Sequence, residues 1–204
     1  AVKNRFGSLE IGVYEIGDAG LKDIPNASEL FLSERPVNAS GTVVVPVMEG
    51  TRPILVEVQA LVGSSSYQNA RRTTNGIDLN RLQLLLAVLE KRAGLLLGGS
   101  DAFVKVAGGV KIDEPAVDLG LAVALASSFR DCPVNPYTVI IGEVGLAGEV
   151  RAVSHMEQRI RESRRMGFRR AIVPVSAEKV HTEPGFSLLG APTLNDALNM
   201  VMGR

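Results

Sequence analysis

Tryptophan is absent from this chain, and one cysteine occurs in 204 residues. A lone thiol, Cys132, excludes an internal disulfide framework and a cysteine-rich zinc site. Standing before Pro133 at an expected helix end, it reads as a packed thiol. Aromatic residues reach only 4%, which disfavours base-by-base stacking on single strands relative to tracking of phosphates. Formal net charge is zero, from 22 basic and 22 acidic side chains. No global field therefore draws the chain toward nucleic acid or a membrane, and any such contact must come from a local patch. No apolar run reaches the roughly 18 residues needed to span a bilayer, so no membrane partner is expected. No signal peptide is visible, and the expected compartment is the cytoplasm. The pattern G-x-x-x-x-G-K-[ST] is missing, so the chain has no phosphate loop with which to cradle a triphosphate.

What is present is a substantial core: apolar residues make up 46%, enough to argue against disorder. Residues 1–40 are turn-rich, with a strand expected over Leu9–Ile16 and a short helix near Ala27–Leu32. The segment Arg35–Gly41 reads as a linker from this arm to a main domain over 41–204. Thr42–Met48 and Pro53–Val62 are β-branched apolar runs split by Glu49-Gly50-Thr51-Arg52, the pattern of two paired strands. Ser64–Asn75 is polar and reads as a surface loop. Asp78 should cap a helix to about Arg92, with Leu79, Leu82, Leu85, Leu86 and Leu89 on one face. A strand follows at Ala102–Ala107. Pro115 suits the first turn of a helix running to about Phe129, apolar on all sides and hence central. Thr138–Ile141 and Arg170–Val175 read as strands, Met156–Met166 as an arginine-rich helix, and Thr193 as the start of a terminal helix. Strands interleaved with helices predict an α/β fold, of the α+β kind with a mixed sheet, preceded by a short N-terminal arm.

Three groups of residues could carry chemistry. Asp113, Glu114 and Asp118 gather at a helix start, where carboxylates serve either as acid–base groups or as dipole and capping partners; the structural role is favoured. His155 is expected to be partly exposed and structural. Between Arg151 and Arg170 seven arginines stand against Glu157 and Glu162. A basic face of this kind, including Arg164 and Arg165, could contact phosphates, whereas Arg161 and Arg165 at i,i+4 would repel each other.

Several segments in order carry a family resemblance. Lys3-Asn4-Arg5-Phe6-Gly7 is similar to the KNRFG motif of the RadA (Sms) family of bacterial DNA repair proteins. Met48-Glu49-Gly50-Thr51-Arg52-Pro53, Arg71-Arg72-Thr73-Thr74-Asn75-Gly76 and Asn80-Arg81-Leu82 fit the same family. The stretches Asp113–Asp118 and Gly142–Gly148 also resemble the peptidase domain of Lon proteases. In that comparison Ala116 stands where the serine nucleophile belongs, and Glu157 where its lysine base belongs. A methyl group and a carboxylate cannot replace a hydroxyl and an amine. From Gly108 to Ala126 there is no serine, and from Ile112 to Glu178 no lysine, so a small shift in alignment restores neither.

The resemblance implies a fragment of a longer protein: the end of an ATPase core over residues 1–40, then a catalytically inactive Lon-protease-like domain over 41–204. It implies assembly and DNA binding within a homo-hexameric motor that promotes branch migration, acting on single-stranded and branched DNA beside a RecA-type recombinase. ATP and Mg are expected for the whole protein and no cofactor for this piece. Lys3 and Arg5 would face the same way on a strand and could offer cations to a neighbour's nucleotide. Arg35, Arg52, Arg71, Arg72 and Arg81 would line a central channel. Two alternatives stay open: a working serine–lysine peptidase, and a peptide-binding pseudoprotease adaptor.

Overall fold

A computed structural model of the chain describes residues 13–17, 20–24, 28, 32, 38–65, 69–182 and 184–203. The motif Lys3–Gly7, Arg35 and most of the arm lie outside them. Within the arm, β1 (Val13–Gly17) and β2 (Gly20–Ile24) pair antiparallel as a hairpin. Of the strand expected over Leu9–Ile16, the described part, Val13–Ile16, lies in β1, and the rest falls outside the described residues.

The main domain is built on seven strands: β3 (Thr42–Glu49), β4 (Arg52–Ser64), β5 (Arg72–Asn75), β6 (Ser100–Val106), β7 (Thr138–Ile140), β10 (Arg170–Pro174) and β11 (Ser187–Ala191). Their order across the sheet is β11-β10-β7-β3-β4-β6-β5. The β3–β4 and β4–β6 pairs are antiparallel and the others parallel, so the sheet is mixed, as expected. A separate small ribbon joins β8 (Glu143–Val144) to β9 (Val150–Arg151).

Four helices clothe the sheet: α1 (Leu79–Ala93), α2 (Asp118–Arg130), α3 (Met156–Arg165) and α4 (Leu194–Met202). Alternation along the strands decides which face each one covers. Val43, Val45, Val47, Val56 and Val58 share one apolar cluster with Leu82, Leu89, Leu121, Leu125 and Leu198 of α1, α2 and α4. The intervening Val44 and Leu55 join Ile160 of α3 in a second cluster on the other face. Strand β3 is therefore buried on both sides, which is why it reads as a continuous apolar run.

Helix α2 is buried from Asp118 through Ser127, the central position that its all-round apolar sequence predicts. It lies so close to the sheet that a Cβ on Gly120 would meet Val45 Cγ1 at 2.2 Å. Asp78 caps α1 by accepting from the Arg81 N–H at 3.1 Å, and Gly94 ends that helix in the left-handed conformation. Pro115 opens a short 3₁₀ turn, Pro115–Val117, leading directly into α2.

Two expectations need correction. Ser64–Asn75 is not all loop, because Arg72–Asn75 forms the edge strand β5, parallel to β6. Leu79 is not part of the buried stripe of α1 but 40% exposed. Among the described residues, no helix is long and apolar enough to cross a membrane.

Candidate functional site

The segment Asp113–Asp118, which resembles the Lon peptidase domain in sequence, leads through the Pro115–Val117 turn into α2. Two arginines from different helices grip it. Arg81, one turn into α1, donates from Nη2 to the Asp113 carbonyl at 2.7 Å and from Nη1 to the Glu114 carbonyl. Arg159, halfway along α3, is fully buried. Its Nη1 and Nη2 donate to the two carboxylate oxygens of Glu114 at 3.0 and 2.5 Å. The same guanidinium donates to the carbonyls of Pro46 at 2.5 Å and Ser154 at 3.0 Å. Glu114 Oε1 also accepts from the Met48 N–H at 2.8 Å. A buried cation with this many acceptors is satisfied rather than reactive.

Between these clamps Ala116 is 3% exposed. Its carbonyl accepts from the Gly142 N–H at 3.1 Å, and the Gly142 carbonyl accepts from Leu119 at 3.0 Å. The backbone element is thus braced on both sides while its side chain is a methyl. Glu157 lies exposed in the first turn of α3, where a carboxylate complements the helix dipole. His155, just before that helix, is exposed and takes the left-handed φ of 58°. It makes no side-chain cap, and it is exposed where a partly exposed residue was expected.

Asp118 is the unusual group. It is 9% exposed, and its Oδ2 receives only a long contact from the Val144 N–H at 3.5 Å. Oδ1 meets Arg81 Nη1 at 3.3 Å as an ion contact, yet takes no hydrogen bond from any described residue. Burial pushes its carboxyl up to about 6, against the opposing pull of Arg81 and the Val144 N–H.

The arginines proposed for DNA separate into different environments. Arg71 donates from Nε and Nη2 to Asp101 Oδ2 at 3.1 and 2.9 Å and lies over the Phe103 ring. The Arg71 backbone N–H, foremost, holds the Asp101 carboxyl below its usual range. Arg72 donates to the carbonyls of Leu97, Gly98 and Ser100. Arg81 belongs to the clamp. Arg52 is exposed on the β3–β4 hairpin opposite Glu49. It sits at the other end of β4 from Ser64, which pairs with the β6 start beside Arg72. At 3.3 Å per residue that separation is roughly 40 Å. The seven arginines of 151–170 do not form one face either: Arg159 is inside, Arg170 donates to Thr138 Oγ1 at 2.7 Å, and Arg169 covers the Tyr137 ring. Arg165 pairs with Glu162 at 2.7 Å, which offsets the expected repulsion from Arg161. Arg164 lies beside it in the last turn of α3.

Sequence reasoning missed Arg159, whose signal was its place on the apolar side of α3 next to Ile160. It also missed Ser28. That buried hydroxyl accepts from the Leu55 N–H at 3.0 Å and donates to Glu162 at 3.2 Å, tying the arm to β4 and α3.

A family model described as subunit ChlI of Mg-chelatase matches residues 101–177, from β6 to just beyond β10. The DNA repair protein RadA of Bacillus subtilis is 52% identical over 100% of this chain. The chain belongs to the RadA family. RadA of Halalkalibacterium halodurans is likewise 52% identical, and RadA of Streptococcus pneumoniae is 52% identical over 98% of the chain. The chain spans 45% of the B. subtilis protein and 48% of the S. pneumoniae one. Its mixed α/β architecture is consistent with a Lon-like domain, and its family is one of DNA repair proteins.

Proposed function

We propose that this chain is the self-associating, DNA-contacting part of a RadA-type repair protein and that it does not cut peptides. Residues 41–204 act as the Lon-like scaffold. Residues 1–40 complete an ATPase core whose ATP and Mg are bound elsewhere, with Lys3 to Gly7 offered to a neighbour's nucleotide. Six copies form the ring, which migrates branched recombination intermediates beside a RecA-type recombinase in the cytoplasm. The observation that carries this reading is the 52% identity to RadA proteins across the whole chain. The lack of cutting rests on the methyl of Ala116 and the exposed carboxylate of Glu157, where a serine–lysine dyad would need a hydroxyl and an amine.

DNA contact is assigned to the exposed hairpin residue Arg52 and to Arg164 and Arg165 at the end of α3. Arg71, Arg72 and Arg81 are engaged in holding β5, β6 and the Asp113–Asp118 segment, so their loss would act on the fold first. The test is fluorescence anisotropy with single-stranded and branched DNA across a salt series. Affinity should fall linearly on a logarithmic salt scale as counterions are released. Replacing Arg164 and Arg165 together by glutamate should weaken it by about tenfold or more and flatten the slope. An affinity indifferent to salt and to these substitutions would contradict the reading.

A further inference from the structure

The starts of β7 and β10 lie side by side, because the two strands are parallel and Thr138 pairs with Arg170. Helix α3 ends at Arg165, shortly before β10, and the Phe168 N–H closes that turn on the Ser163 carbonyl at 3.1 Å. Helix α2 ends here as well. Its Ser127 hydroxyl accepts from the Gly41 N–H at 2.9 Å, just before β3, whose Val44 pairs with Val139 of β7. One end of the molecule therefore gathers Arg130, Arg164, Arg165, Arg169 and Arg170. Within 127–137 and 161–170 the acidic residues are Asp131 and Glu162, and Glu162 is paired with Arg165. A chain of zero net charge thus carries a local cationic end, which suits a polyanion.

Tyr137 stands at this end with its side chain in water, 50% exposed. Its backbone is fixed from both sides. The carbonyl accepts from the N–H groups of Arg169 and Arg170 at 3.0 and 3.3 Å, and the N–H donates to Asn135 Oδ1 at 3.0 Å. The guanidinium of the exposed Arg169 lies over the ring, 4.8 Å from its centroid. Two flat groups, one aromatic and one cationic, are thus layered on a braced backbone and remain open to solvent.

We propose, building on the DNA contact assigned above, that Tyr137 and Arg169 form a stacking platform for one unpaired base of single-stranded DNA. The surrounding arginines meet the phosphates on either side of that base. A second cation is disfavoured, because Arg169 already covers a face of the ring. A carboxylate would seek the donor edge of the guanidinium and gain nothing from the ring. A nucleobase gains from both groups, since its π face can stack on an aromatic ring or on a guanidinium plane.

Fluorescence anisotropy tests this with two oligomers of about ten nucleotides, a thymidine strand and an abasic strand carrying the same phosphates. The parent chain should bind the thymidine strand about fivefold or more tightly, the gain expected of a stacked base. Tyr137→Ala should abolish that preference. It should leave the affinity for the abasic strand and the salt slope unchanged, because stacking releases no counterions. Tyr137→Phe keeps the ring and should keep the preference. Equal binding of the two strands by the parent would overturn the platform while the phosphate contact stands, and binding of neither strand would remove both. A loss on Tyr137→Ala that is equal for the two strands would place the ring in a fold or subunit contact and overturn the platform. Polyglutamate of equal charge that binds as tightly as the thymidine strand would identify an acidic peptide as the ligand, with the same consequence.

Discussion

Arg159 and Arg165 stand six residues apart on one helix and do opposite things. Arg159 is fully buried, with its guanidinium divided among Glu114, Pro46 and Ser154. Arg165 is half exposed and holds Glu162 at 2.7 Å in an i,i+3 pair. The first is a strut between α3, β3 and the start of α2; the second is a surface charge. The same division runs through the molecule, with Arg81 among the struts and Arg52 among the surface cations. Arginine-rich sequence therefore cannot be read as a binding face until burial is known.

The largest expected effect comes from breaking the inner side of this comparison. Arg159→Ala strands the Glu114 carboxylate and the Pro46 carbonyl, and should destabilise the chain by about 4 kcal/mol in urea unfolding. Adding Glu114→Gln to the same chain should recover part of the loss, since the uncompensated charge is then gone. A change as small as that of a surface arginine would show that the clamp contributes nothing.

Asp118 sharpens the comparison by pH. Its carboxyl is pushed up to about 6 from 3.8, with burial the first cause. The fold therefore favours the protonated form. This group's contribution to stability is fully present below about pH 4 and fades as pH rises through about 6. At about 1.4 kcal/mol per unit, the loss approaches about 3 kcal/mol. Asp118→Asn lacks that titration, so its stability relative to the parent should rise by about this amount between acid and neutral pH. A difference that stays flat across the range would mean that the carboxylate is solvated after all.

The smallest effect is expected on the outer side. Arg165→Ala should change stability by less than about 1 kcal/mol, because an exposed pair with Glu162 adds little. If the division of roles is right, the same substitution lowers DNA affinity while leaving the melting curve in place. A large loss of stability would move Arg165 into the class of Arg159.

Much of the frame was legible because local signals and packing agree. Asp78 and Gly94 bracket α1, Pro115 opens the turn before α2, and Thr193 caps α4 through the Asp196 N–H. The apolar run Thr42–Met48 read as one of two paired strands, and the structure adds that β3 is buried on both faces. What escaped was polar by composition. Arg72–Asn75 looks like a loop because an edge strand needs few apolar residues, although Thr73 and Thr74 are β-branched. Arg159 escaped because a charged side chain is rarely fully buried unless paired, and its partner Glu114 lies 45 positions away. Ser28 meets Leu55 and Glu162 by tertiary contact alone. That Ala116 and Glu157 stand where a serine–lysine dyad would be is proposed from residue identity and the family resemblance alone. The arginine clamps on Asp113 and Glu114 needed the structure.

The central claim is that the peptidase frame is retained without its chemistry. Its most direct test is cleavage of casein and of a fluorogenic peptide by the purified chain, measured beside a variant with Ala116→Ser and Glu157→Lys. The account predicts that the parent chain releases no product above buffer over hours. Cleavage by the parent that survives repurification and disappears on mutating residues of this cleft would contradict it.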